Sequence, residues 1–341
     1  MTHPVQGFHH ITAMASDPQH NLEFYRDVLG QRLVKQTVNF DDPGTYHLYY
    51  GDYQGSPGTI LTFFPWPHMK RGTRGSGEVG ATAYSISLNS LEYWRQRLAE
   101  KQLELTESTR FGETVLGFND PDGMGLELIA QHHAPDIRPW EESDVPAEHQ
   151  LRGFHSVTLV VNSASGSEHL LTHHLGLTAQ QSMHEGVNQR GAQRKRFELA
   201  GGQIVDLLIQ PHALPARLGA GSVHHVAFRN QDDSEQAEYL ANLRHKGVNV
   251  TPVQDRQYFH SIYFREPSGV LFELATDAPG FATDEPLEQL GERLQLPSWY
   301  EPQRARIEDH LPKLHLSKLD VSPRTTPSSS LAPSNPLERS L

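Results

Sequence analysis

The stretch Gly7-Phe8-His9-His10-Ile11-Thr12 decides the fold, because the chain repeats it. It returns as Gly153-Phe154-His155-Ser156-Val157-Thr158 and, more loosely, as Ser222-Val223-His224-His225-Val226-Ala227. Each copy alternates apolar and polar residues and contains β-branched side chains, which is the pattern of a β-strand. Paired histidines on repeated strands predict a metal site that the internal symmetry of the chain assembles.

The composition limits what such a site can do. The 341 residues suffice for two ordinary domains with a large buried core. A net charge of -12 argues against nucleic acid or an anionic membrane surface as a partner. The chain has no cysteine, so a metal would be held by nitrogen and oxygen atoms. Residues 1–7 lack the layout of a signal peptide, and no apolar run approaches a membrane span, so we expect a cytoplasmic protein.

Four units follow from the strand and helix patterns. The first has a strand over 7–14, a helix over 18–29 that ends at Gly30, and three further strands. The same βαβββ order starts again near residues 79, 153 and 222. The fold class is therefore predicted as α+β, with four βαβββ modules forming two cup-shaped half-barrels.

The predicted boundaries divide the chain into five segments. They are an N-terminal pair of modules (1–133), a linker (134–152), a C-terminal pair of modules (153–281), a C-terminal helical extension (282–316) and a disordered tail (317–341). The linker is rich in Pro, Asp and Glu, and the tail is rich in Ser, Pro and Thr without periodicity.

Two glutamates occupy matching places in the second and fourth units. A Pro-x-Gly turn precedes the last strand of each, and the acid follows the proline by six residues: Glu127 after Pro121, and Glu273 after Pro267. A carboxylate among apolar neighbours is costly unless a cation or a donor meets it. The alternative to a metal ligand is a glutamate that is hydrogen-bonded at a sheet edge. This alternative has more weight for Glu127 than for Glu273.

Strand parity selects among the histidines. Neighbouring residues on a strand face opposite ways, which separates two sets: His10, Ser156 and His225 against His9, His155 and His224. The second set shares its face with Ile11 and its counterparts, which are expected to pack outward against helices. We therefore favour His10, His225 and Glu273 as ligands. This choice pairs the first unit with the fourth and leaves a degenerate second site around Glu127.

Two histidines and one carboxylate form the facial triad of non-haem Fe(II) oxygenases, which leaves positions open for substrate and O₂. Residues 53–77 contain no Asp or Glu, so the last strand of the first unit cannot supply a fourth carboxylate. The open triad is thus favoured over a four-ligand lyase site. A structural zinc site is disfavoured because such sites are usually closed and four-coordinate.

Taken together, these motifs resemble the vicinal oxygen chelate superfamily of glyoxalases, bleomycin-resistance proteins and extradiol dioxygenases. Within it, the chain is similar to hydroquinone ring-cleaving dioxygenases of the 2,6-dichlorohydroquinone 1,2-dioxygenase type. The residues that carry this resemblance are His9-His10-Ile11-Thr12, Tyr46-His47-Leu48-Tyr49-Tyr50, Pro57-Gly58-Thr59, Arg110-Phe111-Gly112, Arg152-Gly153-Phe154-His155-Ser156 and His224-His225-Val226-Ala227-Phe228. They fall within residues 7–281.

The resemblance implies an Fe(II)-dependent, extradiol-type dioxygenase that inserts O₂ into a hydroquinone- or catechol-like substrate, with Mn(II) as the alternative metal. The implied partners are a small aromatic substrate and O₂, without nucleic acid or membrane; a homo-oligomer is left open. The implied site residues are His10, His225 and Glu273 as metal ligands, His224, Tyr263 and Arg256 as catalytic residues, and Thr12 and His9 as substrate-binding residues.

Other interpretations stay open at this point. One is a metal-dependent glyoxalase-type isomerase or lyase, and another is a non-catalytic small-aromatic binding protein of the same fold. Arg256 could instead pair with Asp255 or another surface acid. Tyr263 could be a core tyrosine with its hydroxyl bonded nearby.

Overall fold

The structure, a computed structural model, describes residues 3–184 and 192–317. The predicted disordered tail lies outside the described residues, apart from Ser317. The first unit contains β1 (Phe8–Ala15), α1 (Pro18–Glu23), β2 (Arg32–Asn39), β3 (Asp42–Gly51) and β4 (Ile60–Pro65). The second contains β5 (Glu78–Ser87), α2 (Leu91–Glu100), β6 (Thr106–Arg110), β7 (Glu113–Asn119) and β8 (Gly125–Gln131).

The other two units repeat this order. The third contains β9 (Phe154–Val161), α3 (Ser165–His169), β10 (Thr178–His184), β11 (Gln193–Glu198) and β12 (Ile204–Ile209). The fourth contains β13 (Val223–Asn230), α4 (Asp233–His245), β14 (Gln254–Asp255), β15 (Phe259–Arg265) and β16 (Leu271–Pro279). The chain then continues through short 3₁₀ turns to α5 (Arg304–His310).

The sixteen strands form two eight-stranded sheets, each shared by two units. One sheet has the order β14-β15-β16-β13-β1-β4-β3-β2 and joins the first unit to the fourth. The other has the order β10-β11-β12-β9-β5-β8-β7-β6 and joins the second to the third. The antiparallel pairs β1–β13 and β5–β9 are the seams. These sheets confirm the predicted fold class, and the pairing of units is the one that strand parity had favoured.

Two predicted helices change type along their length. Asp17 caps α1 by accepting from the backbone N–H of His20, and Pro18 occupies the first turn. From Phe24 to Val28 the chain continues as a π-helix, and the third unit does the same over Leu170–His174. The wider π turn is not encoded in a 3.6-residue periodicity, so the prediction of one helix over 18–29 missed it.

The glycine-rich segment 66–77 is paired with another connection of the chain. Thr73 N donates to Arg217 O at 2.8 Å, and Ser76 N donates to Leu214 O at 2.8 Å. A Cβ on Gly75 would lie 2.1 Å from Leu214 O, so the close approach of the two backbones requires glycine there. The segment is therefore anchored to the corresponding connection between the third and fourth units.

The C-terminal extension packs on the first unit through a buried lysine. Lys35 is fully buried, and its Nζ lies 2.6 Å from Asp284 Oδ1 and 2.5 Å from Glu285 Oε2. The Nζ also lies 4.9 Å from the ring centre of Tyr258. None of the helices within 3–184 and 192–317 is long and apolar enough to cross a membrane.

Replacing Lys35 with methionine is expected to lower the free energy of unfolding by about 3–5 kcal/mol, because Glu285 would stay buried without its cation. Urea unfolding followed by circular dichroism measures the change. Arg229→Met is the control, since Arg229 pairs with Asp277 near the surface and the loss should stay below about 1 kcal/mol. Equal losses in the two variants would show that Lys35 is not the anchor.

Candidate metal centre

Three central strands of the first sheet bring His10, His225 and Glu273 together. His10 lies on β1, His225 on β13 and Glu273 on β16, and all three side chains are buried. The Nε2 atoms of the two histidines are 3.2 Å apart. Glu273 Oε2 lies 2.9 Å from Nε2 of His225 and 3.4 Å from Nε2 of His10. Three ligand atoms therefore converge on one point of the cup.

This donor set fits a divalent cation. Glu273 Oε1 accepts a hydrogen bond from Ser261 Oγ, whereas the buried Oε2 has no hydrogen-bond partner among the described residues. Ligands held about 2.1 Å from a metal and at right angles lie about 3.0 Å from one another. The observed separations of 2.9, 3.2 and 3.4 Å are close to that spacing. Two imidazoles and a carboxylate suit iron, manganese or zinc.

The second histidine of each pair is oriented by the first. Nδ1 of His9 lies 2.9 Å from Nδ1 of His10, and Nδ1 of His224 lies 2.8 Å from Nδ1 of His225. Each contact engages the ring nitrogen that faces away from the convergence point. A partner of this kind fixes the tautomer of a ligating histidine and leaves Nε2 for the metal. The repeated His-His dipeptide thus supplies a candidate ligand and a neighbouring ring that orients it.

β-Bulges make these contacts between neighbours in sequence. In the β1–β13 ladder the register shifts between Phe8 and His10 and again between Thr12 and Ala13, which leaves His9 and His224 as the extra residues. A bulge re-aims side chains that would otherwise alternate. Strict alternation had turned His9 and His224 outward; that expectation was wrong, because both rings reach the ligands inside the cup.

Burial keeps the supporting histidines neutral. Desolvation, reinforced by the adjacent histidine, lowers the pKa of His9 and of His224 to about 3. Burial also lowers the pKa of His225. Burial by itself would raise the pKa of Glu273, but His10 and His225 outweigh it and hold this pKa well below its ordinary value. Neutral imidazole and ionised carboxylate are the forms that bind metal ions.

A cavity of about 590 Å³ opens beside the three ligand atoms. The apolar part of its wall is mainly aromatic, as in sites for small organic ligands. The lining includes Phe40, Tyr49, Phe64, Trp66, Phe259 and Tyr263. Its polar residues include His10, His47, His224, His225, Asp41, Asp42 and Arg256. An aromatic ring therefore has room next to the convergence point.

Arg256 and Tyr263 meet at the wall of this cavity. Arg256 Nε donates to the Tyr263 hydroxyl at 3.2 Å. Its Nη1 donates to Oδ2 of Asp41 at 3.1 Å, so the acid that pairs with Arg256 is Asp41 of the first unit rather than Asp255. Burial raises the pKa of Tyr263 well above its ordinary value, which keeps the phenol protonated.

Thr12 and His9 lie behind the cavity wall. The Thr12 hydroxyl lies 2.8 Å from the Thr62 hydroxyl, which in turn lies 2.8 Å from Nε2 of His47. The Tyr49 hydroxyl lies 2.8 Å from Nδ1 of the same imidazole. His47 and Tyr49 reach the cavity, whereas Thr12 and His9 are not among the residues that line it. Sequence reasoning assigned no role to His47 or Tyr49, although their spacing of two residues in Tyr46-His47-Leu48-Tyr49-Tyr50 indicates one strand face.

Thr62 occupies the position in the first unit that corresponds to Glu273 in the fourth unit. Ile60 pairs with His10, and Leu271 pairs with His225. Thr62 and Glu273 each follow two residues later, so they hold equivalent positions in the two units. A hydroxyl bonded to Thr12 thus stands where a fourth carboxylate would complete a closed site.

The second cup has the same plan with different residues. Ser156 takes the place of His10. His225 pairs with Thr12 in the first sheet, and Ala81 pairs with Thr158, the counterpart of Thr12, in the second. Alanine therefore takes the place of His225. Glu127 is held by Arg110, whose Nη1 lies 2.9 Å from Oε1 and whose Nη2 contacts Oε2. A guanidinium thus satisfies the carboxylate, in agreement with the predicted degeneracy of this cup. Glu127 is hydrogen-bonded, as the alternative had proposed, but it lies on the inner strand β8 rather than at a sheet edge.

Comparisons with known proteins agree with this architecture. MhqO of Bacillus subtilis (strain 168), which carries the provisional name ring-cleaving dioxygenase, is 42% identical over 322 residues, covering 94% of this chain and 100% of MhqO. The chlorohydroquinone/hydroquinone 1,2-dioxygenase of Sphingobium indicum is 34% identical over 319 residues, covering 90% of this chain and 95% of that protein.

Solved structures lead to the same group. A protein from Bacillus subtilis subsp. subtilis str. 168, provisionally called a dioxygenase, has a TM-score of 0.86 at 41% identity, covering 93% of this chain and 99% of the other. Glyoxalase I from Zea mays shares the fold, with a TM-score of 0.59 at 14% identity, covering 79% and 92%. The family profile matches twice, over residues 7–128 and 153–274, and the chain thus belongs to the Glyoxalase/Bleomycin resistance protein/Dioxygenase superfamily.

Proposed function

We propose that this protein is an Fe(II)-dependent dioxygenase that opens the ring of a hydroquinone- or catechol-like substrate. The observation that carries the proposal is the three-ligand cluster of His10, His225 and Glu273 at the base of an aromatic cavity, with Thr62 in place of a fourth acid. The ring-cleaving names of the relatives, one of which acts on chlorohydroquinone and hydroquinone, support it.

His10, His225 and Glu273 would hold the metal ion. The bound ion would supply Lewis acidity that lowers the pKa of a substrate hydroxyl, together with open positions for that oxygen and for O₂. His9 and His224 would keep the two imidazoles in the tautomer that presents Nε2.

The aromatic walls would position the ring and exclude water. Phe64 and Trp66 lie on one side of the cavity and Phe259 lies close to His10, with ring centres 4.9 Å apart. A flat substrate held between such side chains is oriented before reaction, which lowers the entropic part of the barrier. The aromatic side chains of the lining thus favour a small aromatic substrate.

His224 and Tyr263 would supply protons at the cavity wall. Because Nδ1 of His224 receives the proton of His225, the remaining proton of the neutral His224 ring sits on Nε2. Arg256 donates to the oxygen of Tyr263, so the phenolic hydrogen is available for an oxygen that gains charge on the substrate. Arg256 would add electrostatic stabilisation of that charge.

The test is reconstitution of the protein with Fe(II) under anaerobic conditions, followed by oxygen uptake with hydroquinone, chlorohydroquinone and catechol. We expect uptake coupled to loss of the aromatic absorbance, and a parallel sample loaded with Mn(II) identifies the competent metal. Stoichiometric metal binding without uptake on any of these rings would overturn the proposal and favour the glyoxalase-type isomerase or a binding protein.

A further inference from the structure

The charges of the cavity are arranged in two layers. The base holds Glu273 and the two facing histidines, and the mouth holds Asp41 and Asp42. Burial lowers the pKa of the wall histidine His47 well below its ordinary value, so this side chain is neutral. Among the described residues that line the cavity, Arg256 is the permanent cation, and it pairs with Asp41 while Asp42 lies next to Asp41 in the chain.

The two aspartates are held in place at the mouth. Asp41 lies in the turn between β2 and β3, and Asp42 is the first residue of β3. The Asn39 side chain accepts from the backbone N–H of Asp41 at 3.0 Å. Asp42 Oδ2 accepts from Trp66 Nε1 at 2.8 Å and from Thr45 Oγ1 at 3.0 Å. The Tyr300 hydroxyl of the C-terminal extension donates to Phe40 O at 2.8 Å. Bonds from three parts of the chain therefore fix this turn.

Asp41 already occupies the guanidinium that an anionic substrate would seek. Arg256 Nη1 lies 3.1 Å from Asp41 Oδ2, and this contact joins the first unit to the fourth across the mouth. A substituent carboxylate would compete with Asp41 for Arg256 and would be repelled by both aspartates. Like charges brought together disfavour binding and act as a specificity device.

We propose that Asp41 and Asp42 make the cavity select uncharged hydroquinones over rings that carry a carboxylate or another anionic substituent. This inference rests on the proposed function, and it adds that the substrate carries no anionic substituent. The aromatic lining of Phe40, Phe64 and Trp66 accepts apolar ring substituents, which agrees with the same selection.

The test compares two substrates of nearly the same shape, (2,5-dihydroxyphenyl)acetate and its methyl ester. The Fe(II)-loaded wild type should prefer the ester in kcat/KM. In Asp41→Asn and in Asp42→Asn, the kcat/KM for the acid divided by that for the ester should rise by roughly fivefold to tenfold. This factor corresponds to the weak interaction of two charges that are exposed to water. The preference of the wild type should also shrink at high salt. Calorimetric titration of the metal-free protein with the acid gives a readout that is independent of turnover.

Asp136→Asn is the matched control, because Asp136 is exposed, lies away from the cavity lining and carries the same charge. A ratio that is unchanged in both mouth variants, or that rises equally in the control, would overturn the inference. Failure of the proposed function looks different: the wild type would then take up no oxygen even with the ester or with unsubstituted hydroquinone.

Discussion

Glu273→Ala is expected to abolish metal retention, whereas Glu127→Ala should leave it intact. Glu273 provides the anionic ligand of the cluster, and its Oε2 has no competing hydrogen bond among the described residues. Loss of a residue that merely supports a ligand weakens metal binding by about 10–100-fold, so loss of the carboxylate itself should exceed 100-fold. Glu127 holds the pseudo-equivalent position but is bonded to Arg110.

The two variants should also differ in stability. Removing Glu127 takes away the bidentate partner of a largely buried guanidinium, and such losses cost about 3–5 kcal/mol. Metal at 100 times its Kd should stabilise the wild type by about 2.7 kcal/mol, and Glu273→Ala should lose this increment. Glu127→Ala should keep the stabilisation by metal, although the metal-free variant is less stable than the metal-free wild type.

Metal content after gel filtration and thermal unfolding with and without added Fe(II) measure both effects. Equal loss of metal in the two variants would show that the cluster around Glu273 is not the binding site. Glu273→Gln serves as a second variant, since it keeps the volume and the hydrogen-bond acceptor for Ser261 while removing the charge.

The cluster of His10, His225 and Glu273 could be predicted from the sequence because it depends on strand periodicity and on the repeated units. The repeat of Gly7–Thr12 at Ser222–Ala227 aligns His10 with His225, and strand alternation then selects one face. The Pro-x-Gly turn places Glu273 at a fixed distance along the last strand. Central strands with a buried face have a strongly specified register, so a pattern of period two locates their side chains.

The contacts that support the cluster could not be predicted from the sequence, because they depend on departures from regular strand geometry and on long-range pairing. The orientation of His9 and His224 follows from bulges, and a bulge is an insertion in one strand relative to its partner that a single strand does not reveal. The pairing of Arg256 with Asp41 joins residues separated by 215 positions. A contact of that range between two connecting segments is set by the tertiary fold rather than by local sequence.

Arg110 explains physically how the second cup stays folded without a His-His-Glu cluster. An ionised carboxylate inside a sheet needs a positive partner. In the second cup the guanidinium of Arg110 provides it, while the positions of the two histidines hold Ser156 and Ala81. In the first cup, Arg256 is directed to Tyr263 and Asp41, and Glu273 faces His10 and His225 instead.

Thr62→Glu is expected to convert the open cluster into a closed four-ligand site. The register places Thr62 at the position in the first unit that Glu273 holds in the fourth, so a glutamate there would reach the same cup from the opposite side. Metal retention should persist or increase. Oxygen uptake should fall by roughly 100-fold or more, since the substrate hydroxyl and O₂ need adjacent open positions.

Thr62→Val separates the added carboxylate from the lost hydroxyl. Valine has nearly the volume of threonine but leaves Thr12 and His47 without their shared partner, which should cost about 1–3 kcal/mol of stability. Its metal content should match the wild type, and its oxygen uptake should greatly exceed that of Thr62→Glu. A metal-loaded Thr62→Glu protein with the oxygen-uptake rate of the wild type would show that the reaction does not need an open coordination position on the side of Thr62. Such a result would remove the structural distinction between an oxygenase cup and a lyase cup.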